Sequence, residues 1–273
     1  MKSDQIITTL YTTRFRKNRV FYFKQTTTMR PTHQHMQAYT PADFQVWHTL
    51  FERQMQVLKK VACNEYLKAF CDIGFNASEI PSVEKINSYL SNHTGWQLVI
   101  VPNIVGEKEF FQLLSKKQFP VTVWLRTPEQ LDYIEEPDMF HDVFGHVPLL
   151  ANSAYAAFFN QVADIAVANN ESPEIITRLG RIYWFTIEFG LMQSSTINKV
   201  YGAGIISSPG EIIHALGSNV EVIDYDPVQI METAFNNSVI QNKYFRIKSF
   251  SQLYQSLPEI KEHLRKFEFA KET

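Results

Sequence analysis

Cysteine is nearly absent from the sequence, which has only Cys63 and Cys71 and no CxxC. That excludes a disulfide scaffold, and both are expected as reduced core thiols of a cytosolic protein, within one helix. Long apolar runs are missing too; none approaches the roughly 20 residues that a membrane helix needs. No basic, apolar, small-residue leader pattern marks a secretory signal. HExxH, GxxxxGK[ST] and GxSxG do not occur, which removes the zincin, P-loop and α/β-hydrolase motifs. Gly202-x-Gly204-x-x-Ser207 lacks the third glycine and the surrounding βαβ unit of a dinucleotide site. There is no internal repeat and no low-complexity segment.

What is present is a soluble globular composition, 45% hydrophobic and 20% charged, long enough to bury a large core. Aromatics reach 14%, with 21 Phe, which suits a pocket for a flat ligand as well as an ordinary core. The net charge of −2 is unevenly spread. Residues 1–42 carry Lys2, Arg14, Arg16, Lys17, Arg19, Lys24 and Arg30 against Asp4 alone. A basic arm can meet nucleic acid or an anionic membrane. Here it is read as a solvated, disordered extension over residues 1–39, with no nucleic-acid and no membrane partner, preceding a domain at 40–273.

Thr40-Pro41 marks a helix start. From Phe44 through Trp47, Leu50, Phe51, Leu58, Val61, Tyr66 and Leu67 to Phe70, apolar residues recur at three and four. That spacing predicts one amphipathic helix ending at Gly74-Phe75-Asn76. Further helices are predicted around Val83–Leu90, around Phe110–Leu114, over 138–146 with Asp138 as N-cap, over Ser153–Asn169, and from Ser172-Pro173 through Leu179, Tyr183 and Glu188 to Leu191. Trp96–Val101, Phe119–Arg126 and Tyr244–Ile247 read as strands, with Pro120 placing its strand at an edge. Tyr201–Ile206 reads as extended and flexible. Ser208-Pro209-Gly210-Glu211 is a capping box, Asp226-Pro227 caps another helix, and Phe250–Phe267 is helical. The fold class is α+β, mainly α: one helical domain with a few short strands.

The chemistry concentrates in Glu136-Pro137-Asp138-Met139-Phe140-His141-Asp142-Val143-Phe144-Gly145-His146. On an ideal helix residues five apart lie about 140° from each other, so Gly145 is expected to end or unwind the helix and let His146 turn back. Glu136, Asp138 and Asp142 stand ready to orient two ligating histidines. Glu188 lies in the apolar run Tyr183–Phe189, where an isolated carboxylate is strongly disfavoured. Two His and one Glu suit a facial Fe(II) site with open positions. The plainer alternatives are two unrelated histidines at a helix end, and an ion pair of Glu188 with Arg178 or Arg181. Arg126, ending a strand, is placed to present its head group to a cleft.

Glu136 to Leu149, Ile182 to Leu191, Tyr201 to Ser208 with Glu211, and Trp47 to Gln54 together resemble the pterin-dependent aromatic amino acid hydroxylases. Within that family the short bacterial phenylalanine 4-hydroxylases are the nearest match, and the likeness runs from about residue 40 to the end. The resemblance implies His141, His146 and Glu188 as iron ligands and Tyr183 as a neighbour of iron and pterin. It implies Arg126 for the substrate carboxylate, Pro137 and Trp184 against the substrate ring, and Ser207 and Gly204 in the amino-acid pocket. Phe110 would stack on the pterin, with Val105, the Val101–Val105 loop and Asp142 completing that site. Ile134 stands where animal members have Thr, so one substrate contact is missing. The implied reaction converts L-phenylalanine to L-tyrosine with O₂, Fe(II) and tetrahydrobiopterin or a related tetrahydropterin, through an Fe(IV)-oxo species. The implied protein is cytoplasmic and a monomer or dimer.

Three other readings compete. Tryptophan or tyrosine hydroxylation would differ only in pocket shape. A His₂Glu zinc hydrolase needs a general base and is indifferent to pterin and O₂. A non-catalytic metal-binding module would bind without turnover.

Overall fold

The computed structural model describes residues 30–272 apart from Thr196 and Ser238. Helix α1, Pro41–Val61, starts where expected: Thr40 and Asp43 form a complete capping box ahead of Pro41. The single long helix expected through Phe70 is two. The chain breaks at Ala62–Cys63, and α2 spans Asn64–Ile73. The reason is tertiary, because the Cys63 amide leaves the helical ladder and donates to Val200 O at 3.0 Å. The two cysteines therefore do not share a helix: Cys63 is the buried N-cap residue of α2 and Cys71 is exposed within it. Gly74, at φ +82°, ends α2 in the left-handed conformation glycine adopts freely.

Helix α3, Val83–His93, leads into β1, Gln97–Ile100. Helix α4, Glu107–Ser115, crosses over to β2, Gln118–Val121, which pairs parallel with β1. This two-stranded sheet is all edge, which accommodates Pro120 in the ladder. The chain beyond Val121 runs to Arg126 without a strand partner.

The middle of the chain is helical throughout. A π-helical segment, π1, spans Phe140–His146, and runs directly into the short α5, Val147–Leu150. Helix α6, Ser153–Ala168, is capped by the Asn152 side chain, and α7, Pro173–Tyr183, continues into a second π-helical segment, π2, Trp184–Glu188. Strands β3 (Leu191–Met192), β4 (Lys199–Val200), β5 (Glu221–Asp224) and β6 (Lys243–Ile247) form one mixed sheet in the order β4-β3-β6-β5. Of these the sequence predicts only β6: β3 and β4 are two residues each and carry no readable alternation, Leu191 starts β3 where the preceding helix is expected to continue, and β5 shows no buried alternate face.

Tyr201–Ile206 is neither extended nor loose. Ala203–Ile206 is a helical turn, α8, and Tyr201, Ala203, Ile205 and Ile206 are all buried. Gly202 serves close approach here, because a Cβ on it would lie 2.4 Å from Glu188 O. Helices α9 (Pro209–Ala215) and α10 (Pro227–Glu232) start on Ser208 and Asp226 side-chain caps. The expected terminal helix is two, α11 (Phe250–Gln255) and α12 (Leu257–Glu272).

The core is strongly aromatic. Trp47 and Phe51 of α1 and Tyr66 and Phe70 of α2 gather around Phe144 of π1, which stacks on Phe140 at 4.4 Å between centroids. Fully burying such side chains contributes roughly 1.5–3 kcal/mol each, so π1 is anchored on its rear face by dense aromatic packing. Most of the expected extension, residues 1–29, lies outside the described residues. Residues 30–39 are seated on the body: the Gln34 amide donates to Pro81 O at 2.9 Å and accepts from Val83 N at 2.8 Å, and Tyr39 OH donates to Val123 O at 2.7 Å.

Candidate metal centre

The i,i+5 spacing of the two histidines is explained by the winding of π1. A helix with i→i+5 bonding sets residues five apart one above the other, so His141 and His146 share a face with no end or unwinding at Gly145. Gly145 has another use. A Cβ there would stand 3.0 Å from Ala203 O, and its absence lets α8 lie against π1. The second π-segment repeats the device, with the Phe189 amide donating to Trp184 O, five residues back, at 3.0 Å. This brings Tyr183 over Glu188, and the Tyr183 hydroxyl donates to Glu188 Oε1 at 2.6 Å.

The two segments converge. His141 Nε2 and His146 Nε2 are 3.2 Å apart. Glu188 Oε1 lies 3.2 Å from His146 Nε2 and Oε2 lies 3.7 Å from His141 Nε2. Arg178 and Arg181, the alternative partners of Glu188, are turned elsewhere: Arg178 forks onto Glu232, and Arg181 donates to Met231 O.

Hydrogen bonding sets the tautomer of His141. Ser207 Oγ gives its one hydrogen to Ala203 O at 2.8 Å, so at 2.9 Å it accepts from His141 Nδ1–H. The Nε2 lone pair then faces His146 and Glu188. Burial drives the His141 pKa down to about 4, leaving it neutral. Burial pushes Glu188 up, yet His146, His141 and the Tyr183 hydroxyl together hold it down at about 2, so it is ionised. His141 Nε2 and the Glu188 carboxylate thus carry no proton and face each other and His146 Nε2. A divalent cation among them satisfies all three atoms at once. The donor set therefore fits a metal ion, and two nitrogens plus one carboxylate suit iron(II).

The carboxylates do not orient the histidines as expected. Asp138 receives the Arg126 guanidinium in a two-pronged pair, Nε to Oδ2 and Nη2 to Oδ1, each 2.8 Å, and also the Arg126 and His141 amides. Asp142 Oδ2 accepts from Thr122 N at 2.7 Å and Thr122 Oγ1 at 2.9 Å. Burial raises the Asp142 pKa to about 7 against the opposing Thr122 bonds. Glu136 pairs with Arg30. The hydroxyl of Ser207 takes the orienting role instead, 66 residues away in the chain.

Other expected residues are placed as follows. The Phe110 ring meets Tyr183 edge-on at 5.3 Å, so Phe110, Tyr183, Glu188, His146, His141 and Ser207 form one continuous line of contacts. Trp184 is held from its other side: Nε1 donates to Gln241 Oε1 at 2.6 Å and the ring stacks on Phe235 at 4.3 Å. A Cβ on Gly204 would lie 2.9 Å from the Phe189 ring. Pro137 and Val105 lie in loops free of regular structure.

The sequence model of biopterin-dependent aromatic amino acid hydroxylases matches residues 9–271. The chain belongs to this family. The phenylalanine-4-hydroxylase of Ralstonia nicotianae is 39% identical over 233 residues, 84% of this chain and 74% of the relative. That of Pseudomonas aeruginosa is 37% identical over 81% of this chain and 84% of the relative. Among solved structures, Chromobacterium violaceum phenylalanine hydroxylase with iron(III) and 7,8-dihydrobiopterin superposes with a TM-score of 0.80 at 37% identity, over 87% of each chain. The apo cold-active enzyme of Colwellia psychrerythraea 34H also gives 0.80, at 33% identity, over 85% of this chain and 90% of that one.

In this hydroxylase-family chain, sequence reasoning missed three residues that hold the site together. Thr122 satisfies Asp142, Phe119 packs on the His146 ring at 4.8 Å, and buried Gln54 donates to Ile206 O beside Ser207. Gln54 had a readable signal, a polar residue on the apolar face of α1. The other two had none.

Proposed function

We propose that this chain is a tetrahydropterin-dependent phenylalanine 4-hydroxylase. The observation that carries the reading is the convergence of His141, His146 and Glu188, whose ligand atoms all lie within 4.8 Å of one another, in a chain of this family. His141, His146 and Glu188 would hold Fe(II), which with O₂ and electrons from the pterin supplies the oxidant that places oxygen on the ring.

The chain's own residues set the conditions for that chemistry. Ser207 keeps His141 in the ligating tautomer. The Tyr183 hydroxyl occupies Glu188 Oε1 and restrains how that carboxylate faces the metal. Arg126, with Nε and Nη2 committed to Asp138, keeps Nη1 to meet a substrate carboxylate, so Asp138 is its positioning residue. Phe110 offers a half-buried ring beside Tyr183 as the face on which a pterin stacks, with Val105 in the flanking loop and Asp142 behind. Trp184 and Pro137 would border the substrate ring, with Gly204 and Ser207 lining the floor. The buried aromatic wall around π1 excludes water from the rear of the metal face.

The test is an aerobic incubation of Fe(II)-loaded protein with phenylalanine and a tetrahydropterin, scoring tyrosine. Tyrosine that requires both iron and pterin is expected. Absence of tyrosine, with iron bound and tryptophan and tyrosine also unaltered, would exclude the hydroxylase reading. The domain as a catalytic unit, its location in the cytoplasm and its existence as a monomer or dimer form part of the same proposal. Among the described residues no helix is long and apolar enough to cross a membrane.

A further inference from the structure

Arg30 belongs to none of the motifs above, yet it joins three separate segments. Its guanidinium carbon lies 4.0 Å from the centroid of the Trp124 ring. Its Nη1 donates to Asn103 Oδ1 at 3.3 Å and pairs with Glu136. Asn103 sits in the loop between β1 and α4, Trp124 follows β2, and Glu136 precedes Pro137. The side chains of Arg30 and Glu136 are 22% and 34% exposed, so the pair is sheltered without being sealed.

The segment that carries Arg30 is fixed independently by Gln34 and Tyr39, through their bonds to residues 81, 83 and 123. Arg30 therefore acts from a seated strap. Its side chain is also the only kind that fits, because a flat guanidinium can stack on an indole while donating from its edge. A lysine keeps the charge and loses the stack.

The two loops that Arg30 ties together are the ones assigned to different substrates. We propose that Arg30 is a positioning residue that couples the pterin side of the cleft to the amino-acid side. This rests on the reading that the loop containing Asn103 and Val105 borders the pterin, and that Pro137 borders the amino acid. Apart from the 3₁₀ turn Pro128–Gln130, both loops lack regular structure, and they share the Arg30 guanidinium as a common partner, so a ligand that shifts one loop alters the contact that holds the other. The path is Asn103, Arg30, Glu136, Pro137. Coupling of binding is reciprocal by thermodynamic necessity.

The test is anaerobic calorimetry on the Fe(II)-loaded protein, measuring the Kd of phenylalanine with and without tetrahydropterin. In the intact protein the pterin should tighten phenylalanine binding by about 5-fold or more, and phenylalanine should tighten pterin binding by the same factor. In Arg30→Ala both ratios should fall to about one, while phenylalanine alone binds within about twofold of the intact protein. Arg30→Lys should retain part of the ratio and Glu136→Gln should lower it. A ratio near one in the intact protein, or an unchanged ratio in Arg30→Ala with iron still bound, would overturn the coupling. Failure of the intact, iron-loaded protein to bind phenylalanine and pterin at all would instead overturn the underlying assignment of the cleft, and the coupling with it.

Discussion

The metal face and the loop rim of the cleft are built in opposite ways. His141, His146 and Glu188 come from two π-segments backed by buried aromatics, and each segment uses an i,i+5 pair to set a functional contact. The rim, at residues 101–106 and 127–137, has little regular structure, and Tyr133 is 69% exposed. The metal face must hold its donors in place before any substrate arrives, so its positions are fixed by packing. The rim is held instead by a few polar contacts, such as those of Arg30 with Asn103 and Glu136. The two regions meet at Asp138, whose carboxylate touches both π1 and Arg126.

That contrast can be broken most severely on the rigid side. Glu188→Ala removes a metal donor and strips Tyr183 OH of its acceptor. Loss of several kcal/mol of metal stabilisation corresponds to roughly 10³-fold or more in tyrosine formation, read by a steady-state assay alongside iron content. At the boundary, Asp138→Ala leaves the Arg126 guanidinium buried without its partner. Breaking such a pair costs about 3–5 kcal/mol, to be read from chemical denaturation.

The rigid face also predicts an acid response in the metal-free protein. His141 titrates near 4 when folded and near 6.5 when unfolded. Between those values the unfolded chain binds more protons, so stability rises with pH. The His141 contribution is complete above about 6.5 and is lost as pH falls through about 4, amounting to at most ~3 kcal/mol. Asp142, raised to about 7 when folded, opposes that slope over the same window. The His141 contribution is therefore read as the difference in denaturant midpoint between the metal-free protein and His141→Gln, which should widen in favour of the intact protein as pH rises from about 4 to about 6.5. The smallest of these effects is expected from Gly145→Ala, which presses a methyl against Ala203 O. Overpacking of this kind costs about 1–3 kcal/mol, and it should loosen iron binding before it unfolds the chain.

Much of this arrangement is legible in the order of the residues. The donors His141, His146 and Glu188, the helix starts at Thr40, Ser153 and Asp226, and the helices that follow them come from local chemistry, spacing and family likeness. What escapes is whatever depends on distant partners. The break at Ala62–Cys63 exists because Val200 O claims an amide, and β3 and β4 are too short to show a period. Winding at 3.6 residues per turn places His141 and His146 on different faces, and only the π register reconciles their spacing with a common target. Family likeness puts Ser207 in the amino-acid pocket, whereas its bond to His141 Nδ1 is visible only once α8 is folded against π1. Gly202 and Gly145 read as points of freedom and prove to be points of contact.

The most direct test of the metal centre is titration of the metal-free protein with Fe(II) under excess phenylalanine, O₂ and tetrahydropterin, following tyrosine. Activity should rise linearly and break at one iron per chain, and His146→Ala should show no break. Full activity without iron, or an undiminished response in His146→Ala, would contradict the assignment of His141, His146 and Glu188 as the site that carries the reaction.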